Sequence, residues 1–189
     1  MKKSIGNSKK LFVLLILFLA IFLKTENVFA ATTVTDFDGL KNAIETGTDD
    51  ITVQGTINVT ETLTVNRDVK ISGGTLTAGN LNKEDDPNSG NIFYVNDGKK
   101  LELNGITLDG NKKARLIYSN GGTLIINDST LQNGCPGSNA KANPGGGIFL
   151  KGGSLTATNT DFIGNTPGNK SRPRCGRWRF KRRCYLFRK

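Results

Sequence analysis

The 189-residue chain contains no histidine, so any proton transfer by side chains falls to carboxylates, lysines and arginines. Three aspartates, Asp109, Asp128 and Asp161, recur in a stretch rich in glycine and asparagine. An acidic triplet, Glu84-Asp85-Asp86, lies in a polar insertion from Asn80 to Gly90. Two facing carboxylates would suit glycoside hydrolysis. A carboxylate cluster around calcium, beside a base, would suit elimination from an acidic sugar. Arg67 and Arg115 are the arginines of residues 31–169. Arg115 follows Asp109-Gly-Asn-Lys-Lys, as a lyase-type base or as the solvated flank of a strand. The triplet could hold calcium with Asn82 or Asn88, or be a solvated loop.

Chemistry at these positions needs elements that bring them together. One helix is readable. Leu40, Ala43 and Ile44 are apolar at i, i+3 and i+4; Thr35 or Asp36 can cap it and Gly47 can end it. Its expected span is Asp36 to Glu45. After Asp50 the period changes to two. Ile51 and Val53, Ile57 and Val59, Leu63 and Val65, and Val69 and Ile71 alternate with polar residues between Gly, Asn and Asp breaks. That pattern predicts many short strands.

An internal repeat organises the strands. Leu101 to Asn111 aligns with Leu124 to Gly134 and with Leu155 to Asn165, the starts lying 23 and 31 residues apart. Short-strand repeats of this length predict a solenoid, in which stacking rather than any single coil makes the core. Leu101, Leu124 and Leu155 should form one ladder. Leu108, Leu131 and Phe162 should form another. Asn104 and Asn127 share one repeat position, and Thr107 and Thr130 another; stacked asparagines can hydrogen-bond along such an axis. In this alignment Asp109 stacks on Gln132 and Ile163, Asp128 on Gly105 and Asn159, and Asp161 on Thr107 and Thr130. No two carboxylates coincide, so no catalytic set is expected in this chain. No resident cofactor is assigned.

The leading helix, the strand-bend-strand repeat and the short motifs Gly145-Gly146-Gly147-Ile148 and Phe162-Ile163-Gly164-Asn165 carry a resemblance. Residues 34–169 resemble the pectate-lyase-like superfamily. They are nearest to pectate-lyase-like adhesive domains of bacterial surface proteins and to the GGAI and FxxN repeats of polymorphic outer-membrane and autotransporter adhesins. Gly147 stands where those repeats have alanine. The resemblance implies an all-β, right-handed parallel β-helix with a short N-terminal capping helix. It implies adhesion, with a polysaccharide or host surface as partner. The alternative within the same superfamily is a polysaccharide lyase or hydrolase whose catalytic part lies outside this chain.

The two ends differ from the body. Residues 1–30 hold five lysines and one glutamate, residues 170–189 ten Lys or Arg and no acid. Residues 31–169 hold 11 basic and 15 acidic residues, so the body carries −4 and the chain's +10 resides in its ends. The net charge is therefore no argument for nucleic acid. Cys135 is the single cysteine of the body, which excludes a disulfide scaffold. In the tail, Ser171 to Lys189, the repeat stops. The segment reads as a reading-frame product: shifting the arginine codons by one base permits Gly-Gly-Ala-Ile-Tyr-Leu from Arg182. On that reading the β-helix domain is incomplete at its C-terminal side, the tail adds no ordered coil, and the last coil is uncapped near Gly164. The other reading is a basic arm for nucleic acid or an anionic membrane.

At the start, Lys2, Lys3, Lys9 and Lys10 precede the apolar run Leu11–Leu23, and Val28-Phe29-Ala30 follows a polar stretch. Thirteen apolar residues suit a signal peptide of ~7–15 rather than a span of ~20. Residues 1–30 are thus expected to be removed, leaving a secreted or cell-surface bacterial protein without a transmembrane segment. The cut is expected between Ala30 and Ala31. N-terminal sequencing of the exported protein should therefore start at Ala31, and a mature chain retaining Met1 would refute the assignment.

Overall fold

The computed structural model describes residues 31–47, 49–81, 90–136 and 145–166, together with the backbone of 178–180 and 184–186. Alternation of apolar and polar residues makes nearly every described segment a short strand. Strand β1 (Thr32–Val34) precedes the helix α1 (Phe37–Thr46). Then follow β2 (Asp50–Val53), β3 (Thr56–Val59), β4 (Leu63–Val65), β5 (Val69–Ser72), β6 (Thr75–Ala78) and β7 (Asn91–Val95). The series continues with β8 (Lys100–Asn104), β9 (Thr107–Asp109), β10 (Arg115–Ser119), β11 (Thr123–Asn127) and β12 (Thr130–Gln132). It ends with β13 (Ile148–Leu150), β14 (Ser154–Thr158), β15 (Thr160–Ile163), β16 (Trp178–Phe180) and β17 (Cys184–Leu186).

These strands build three sheets. The first, sheet A, has the order β1-β2-β5-β8-β11-β14-β17; sheet B is β16-β15-β12-β9-β6-β3; sheet C is β13-β10-β7-β4. From β2 to β15 the chain visits A, B and C in strict rotation. Every pairing from β1 to β15 is parallel. A mostly β protein with parallel strands in stacked sheets results, an arrangement consistent with a parallel β-helix.

Register places like residues on like. In sheet A, Val69, Leu101, Leu124 and Leu155 are successive partners, as are Ile51, Ile71, Leu103, Ile126 and Ala157. In sheet B, Ile57, Leu76, Leu108, Leu131 and Phe162 form one column. In sheet C, Leu63, Phe93, Ile117 and Ile148 form another. Leu101, Leu108, Leu124 and Leu131 are buried, whereas Leu155 and Phe162, on the last full coil, are partly covered. Each fully buried Leu or Ile contributes ~1.5–3 kcal/mol of transfer free energy, and the gain requires the rung above and below.

Sheets A and B meet at a tight corner that needs a left-handed residue on each coil. Gly105 (φ 60°), Asp128 (φ 51°) and Asn159 (φ 48°) occupy it in successive coils. Glycine adopts this conformation without strain, and Asn and Asp tolerate it better than other residues. At Gly74 (φ 60°) a Cβ would also collide with the Val53 side chain and the Gly55 carbonyl.

At the front, α1 packs against β1, β2, β3 and β4, the first strands of all three sheets. It spans Phe37–Thr46, one residue later than the expected Asp36–Glu45. Asp36 is its N-cap, the carboxylate accepting from the Gly39 N–H at 2.8 Å. Leu40, Ala43 and Ile44 are its buried face, so the helix covers apolar side chains and backbone groups that would otherwise end the stack.

At the back the expectation of an uncapped last coil is corrected. The tail was expected to add no ordered coil and to leave the last coil uncapped near Gly164. Instead β17 pairs with β14 and β16 pairs with β15. Both run antiparallel, so they do not continue the coil. They meet the physical need of an edge strand, whose outward N–H and C=O groups otherwise lack partners.

A substitution pair tests the inward ladder. Leu124 is buried and its neighbour Thr123 is exposed. Leu124→Asp should lower stability by several kcal/mol, ~3 or more, because an unpaired carboxylate would enter the core. Thr123→Asp should cost ~0.5 kcal/mol or less. Thermal unfolding followed by circular dichroism checks this, and equal losses would refute the orientation.

Candidate functional site

Arg115, one of the two basic candidates, opens β10 and pairs in register with Asn91 of β7. Both Ile92 and Phe93, and both Leu116 and Ile117, belong to the core. Strict alternation therefore breaks once on each strand, and Arg115 lies beside Tyr118, three residues on. Its guanidinium carbon is 5.5 Å from the Tyr118 ring centre and 5.4 Å from that of Phe149. Arg115 Nε donates to the Gly145 carbonyl at 2.9 Å and Nη1 to Asn91 Oδ1 at 3.0 Å. Only 2 % of Arg115 is exposed, which corrects the reading of a solvated flank. Burial pushes the guanidinium below its ordinary value, and the nearby Tyr118 partly offsets this.

The rings make a stack on the outer side of sheet C. Tyr94, Tyr118 and Phe149 are successive register partners. Tyr94 and Tyr118 are stacked at 5.3 Å, and Tyr118 and Phe149 are tilted at 5.1 Å. Each such pair adds ~0.5–1.5 kcal/mol beyond area burial. Both tyrosines are buried, at 8 % and 4 % exposure. The cluster holds β7, β10 and β13 together and pins the backbone at Gly145. Asn91-Ile-Phe-Tyr-Val and Arg115-Leu-Ile-Tyr-Ser carry the signal for this column, in the aligned tyrosines.

The carboxylates stay apart. Asp109 pairs with Gln132, and Gln132 with Ile163; Asp161 pairs with Thr130, and Thr130 with Thr107. Asp128 accepts from Asn159 Nδ2 at 3.0 Å. Asp109 accepts from Gln132 Nε2 at 2.7 Å, from Asn133 Nδ2 at 3.1 Å and from the Asn111 N–H at 2.7 Å. Among the described residues no two carboxylates are register partners, and no group of three or more His, Cys, Asp or Glu is placed to hold a metal. Glu84-Asp85-Asp86, Asn82, Asn88 and Ala30 lie outside the described residues; Ala31 is exposed.

Arg67, the other basic candidate, donates from Nε to the Ile44 carbonyl at 2.9 Å and pairs with Asp49 at 2.6 Å. It fastens the end of α1 to the next coil. Asn104 and Asn127 are joined by an amide–amide hydrogen bond of 2.9 Å. A further asparagine contact, which the repeat alignment does not reveal, joins Asn96 to Asn66 at the corner between sheets C and A.

Comparison with known proteins gave no matching family model, no matching curated protein and no matching solved structure.

The geometry makes Arg115 a positioning group within the fold. Arg115→Lys should lower stability by ~2–3 kcal/mol, since one ammonium cannot reproduce two directed hydrogen bonds and stack on two rings. Lys100, whose exposed ammonium is 3.9 Å from Asp68, provides the contrast. Lys100→Met should change stability by ~0.5 kcal/mol or less. Denaturant unfolding of both variants checks the difference.

Proposed function

We propose that this chain is an exported bacterial protein, a right-handed parallel β-helix of pectate-lyase-like type, that works by adhesion to a polysaccharide or host surface. The observation that supports this best is the contrast between its sheets. The outward positions of sheets A and B are in-register columns made mostly of Thr, Ser, Asn, Asp, Glu, Gln and Lys, interrupted by Ile125 and Ile163, and half-buried to exposed along five coils. Such a surface offers many small polar contacts spread over a length. Individually weak contacts on a rigid scaffold suit adhesion by summation.

Catalysis is disfavoured by the same geometry. Arg115 is fixed by the Gly145 carbonyl, Asn91 and two rings, and the carboxylates are spread over different columns. A base must reach the proton it removes, at ~2.6–3.2 Å or through one water. A guanidinium enclosed in this way is not placed to do so.

Two measurements test the proposal. The mature protein, purified from the culture medium, should be retained on immobilised polysaccharide or on host cells above a denatured control. It should release no unsaturated product from polygalacturonate, with or without calcium. Product release abolished by Arg115→Ala, with the variant still folded, would replace adhesion by lyase chemistry.

A further inference from the structure

Three outer faces are available for contact, and they differ. On sheet C the tyrosines and Arg115 are buried. On sheet A the outward groups are largely engaged with one another: Lys70 pairs with Asp50 at 3.0 Å, Asn104 Nδ2 donates to Glu102 at 3.0 Å, and Asn127 Nδ2 donates to Asn104 at 2.9 Å. Sheet B is different. Its inward column is Ile57, Leu76, Leu108 and Leu131, so the flanking residues face outward. Thr56, Thr75, Thr107 and Thr130 are successive register partners in one outward column. Thr77 stands beside Thr75 in the second outward column, with Asn58, Asp109 and Gln132.

The four hydroxyls of the first column make no hydrogen bond to the described chain. No buried side-chain oxygen among the described residues lacks a partner, so these hydroxyls reach solvent. They repeat at the inter-strand distance of ~4.7–4.9 Å, on residues whose branched Cβ restricts the rotamer. A row of fixed, uncommitted hydroxyls matches a ligand that repeats its own hydroxyls at a similar interval. Asp161 continues the first column and Asp109 sits in the second. Asp161 has Arg179 as its next register partner, so it is Asp109 that an acidic polymer on this face would meet as like charge.

We propose that the outer face of sheet B binds a neutral, extended polysaccharide laid along the stacking direction, its sugar hydroxyls hydrogen-bonded to the column Thr56-Thr75-Thr107-Thr130. This rests on the adhesion reading and names its ligand class and its surface. The ligand's hydroxyls both donate and accept, as do those of threonine, so each rung can exchange a water-mediated contact for a direct one. The length of the column sets the affinity, because each contact is weak alone.

The test uses the mature protein and affinity electrophoresis in gels containing soluble β-1,4-glucan, β-1,4-xylan or polygalacturonate. The triple variant Thr75→Val, Thr107→Val, Thr130→Val removes three hydroxyls and keeps the β-branched shape. Its melting temperature should match that of the wild type. The expected result is retardation of the wild type by a neutral polymer, weakened about tenfold or more in the triple variant. Thr156→Val on sheet A should behave as the wild type. Equal retardation of wild type and triple variant would overturn the face but leave carbohydrate adhesion standing. Retardation by polygalacturonate alone would overturn the ligand class. Binding to host cells without retardation in any gel would overturn this inference and keep the adhesion reading; failure of both would remove the adhesion reading as well.

Discussion

No coil of this chain can bury its own apolar residues. Each strand offers one or two inward side chains, and each turn of the chain through sheets A, B and C adds only one strand to each. The parallel register between successive coils is therefore the constraint on which everything else depends. It pairs the backbone N–H and C=O groups of one rung with those of the next, and it sets Leu124 between Leu101 and Leu155. A slip of one residue in any strand would turn Leu124 and Ile126 outward and Thr123 and Ile125 inward. The core and the polar faces would be lost together. The two ends of such a stack then need separate solutions: α1 covers the first strands, and two reversed strands take up the exposed edges of β14 and β15.

The corners are what allow the register to persist through uneven loops. Between sheets A and B the connection stays short, and a left-handed residue turns it in each coil. The residue just after the turn points inward and changes character along the stack, from Ile106 to Ser129 to Thr160. The buried hydroxyls are satisfied locally. Ser129 Oγ donates to the Asn127 carbonyl at 2.6 Å, and Thr160 Oγ1 donates to the Ile126 and Thr158 carbonyls at 3.1 and 2.9 Å. At this corner polar side chains enter the interior where main-chain acceptors stand beside them, which removes most of the cost of burial. The long insertions fall in the connection from sheet B to sheet C, while the connection from C to A varies by only one or two residues. That explains why the aligned starts are 23 and 31 residues apart while the strands keep pace.

Much of this was legible in the sequence because the repeat is nearly literal where it is short. Leu101, Leu108, Leu124, Leu131, Leu155 and Phe162 stand at fixed offsets from Gly/Asn corners, and the cap is written in Asp36, Leu40, Ala43 and Ile44. Sheet C was harder to read. Asn91-Ile-Phe-Tyr-Val and Arg115-Leu-Ile-Tyr-Ser are continuous apolar runs with no period of two, and unequal insertions separate them. The place of Arg115 depends on a break in alternation and on a carbonyl 30 residues away; neither is visible in a list of residue types. The edge pairing made by the tail was not legible for another reason. Strand pairing at an edge draws on backbone groups that every residue except proline supplies, so three residues without alternation can still complete a sheet.

Burial assigns the three faces different work. An aromatic column such as Tyr94, Tyr118 and Phe149 would be a natural sugar platform if it were open, since rings stack readily on apolar surfaces. Here the two tyrosines are covered and Arg115 lies against Tyr118 and Phe149, so the stack stiffens the coils instead of meeting a ligand. The amide and ion pairs on sheet A do similar work between neighbouring rungs. Contact energy that a surface spends on itself is not available to a partner. By this reasoning the capacity for recognition concentrates where side chains are held in place by the sheet yet bonded to nothing in it. Among the described strands, that combination is most continuous in the threonine column of sheet B, and its rigidity comes from the same register that builds the core.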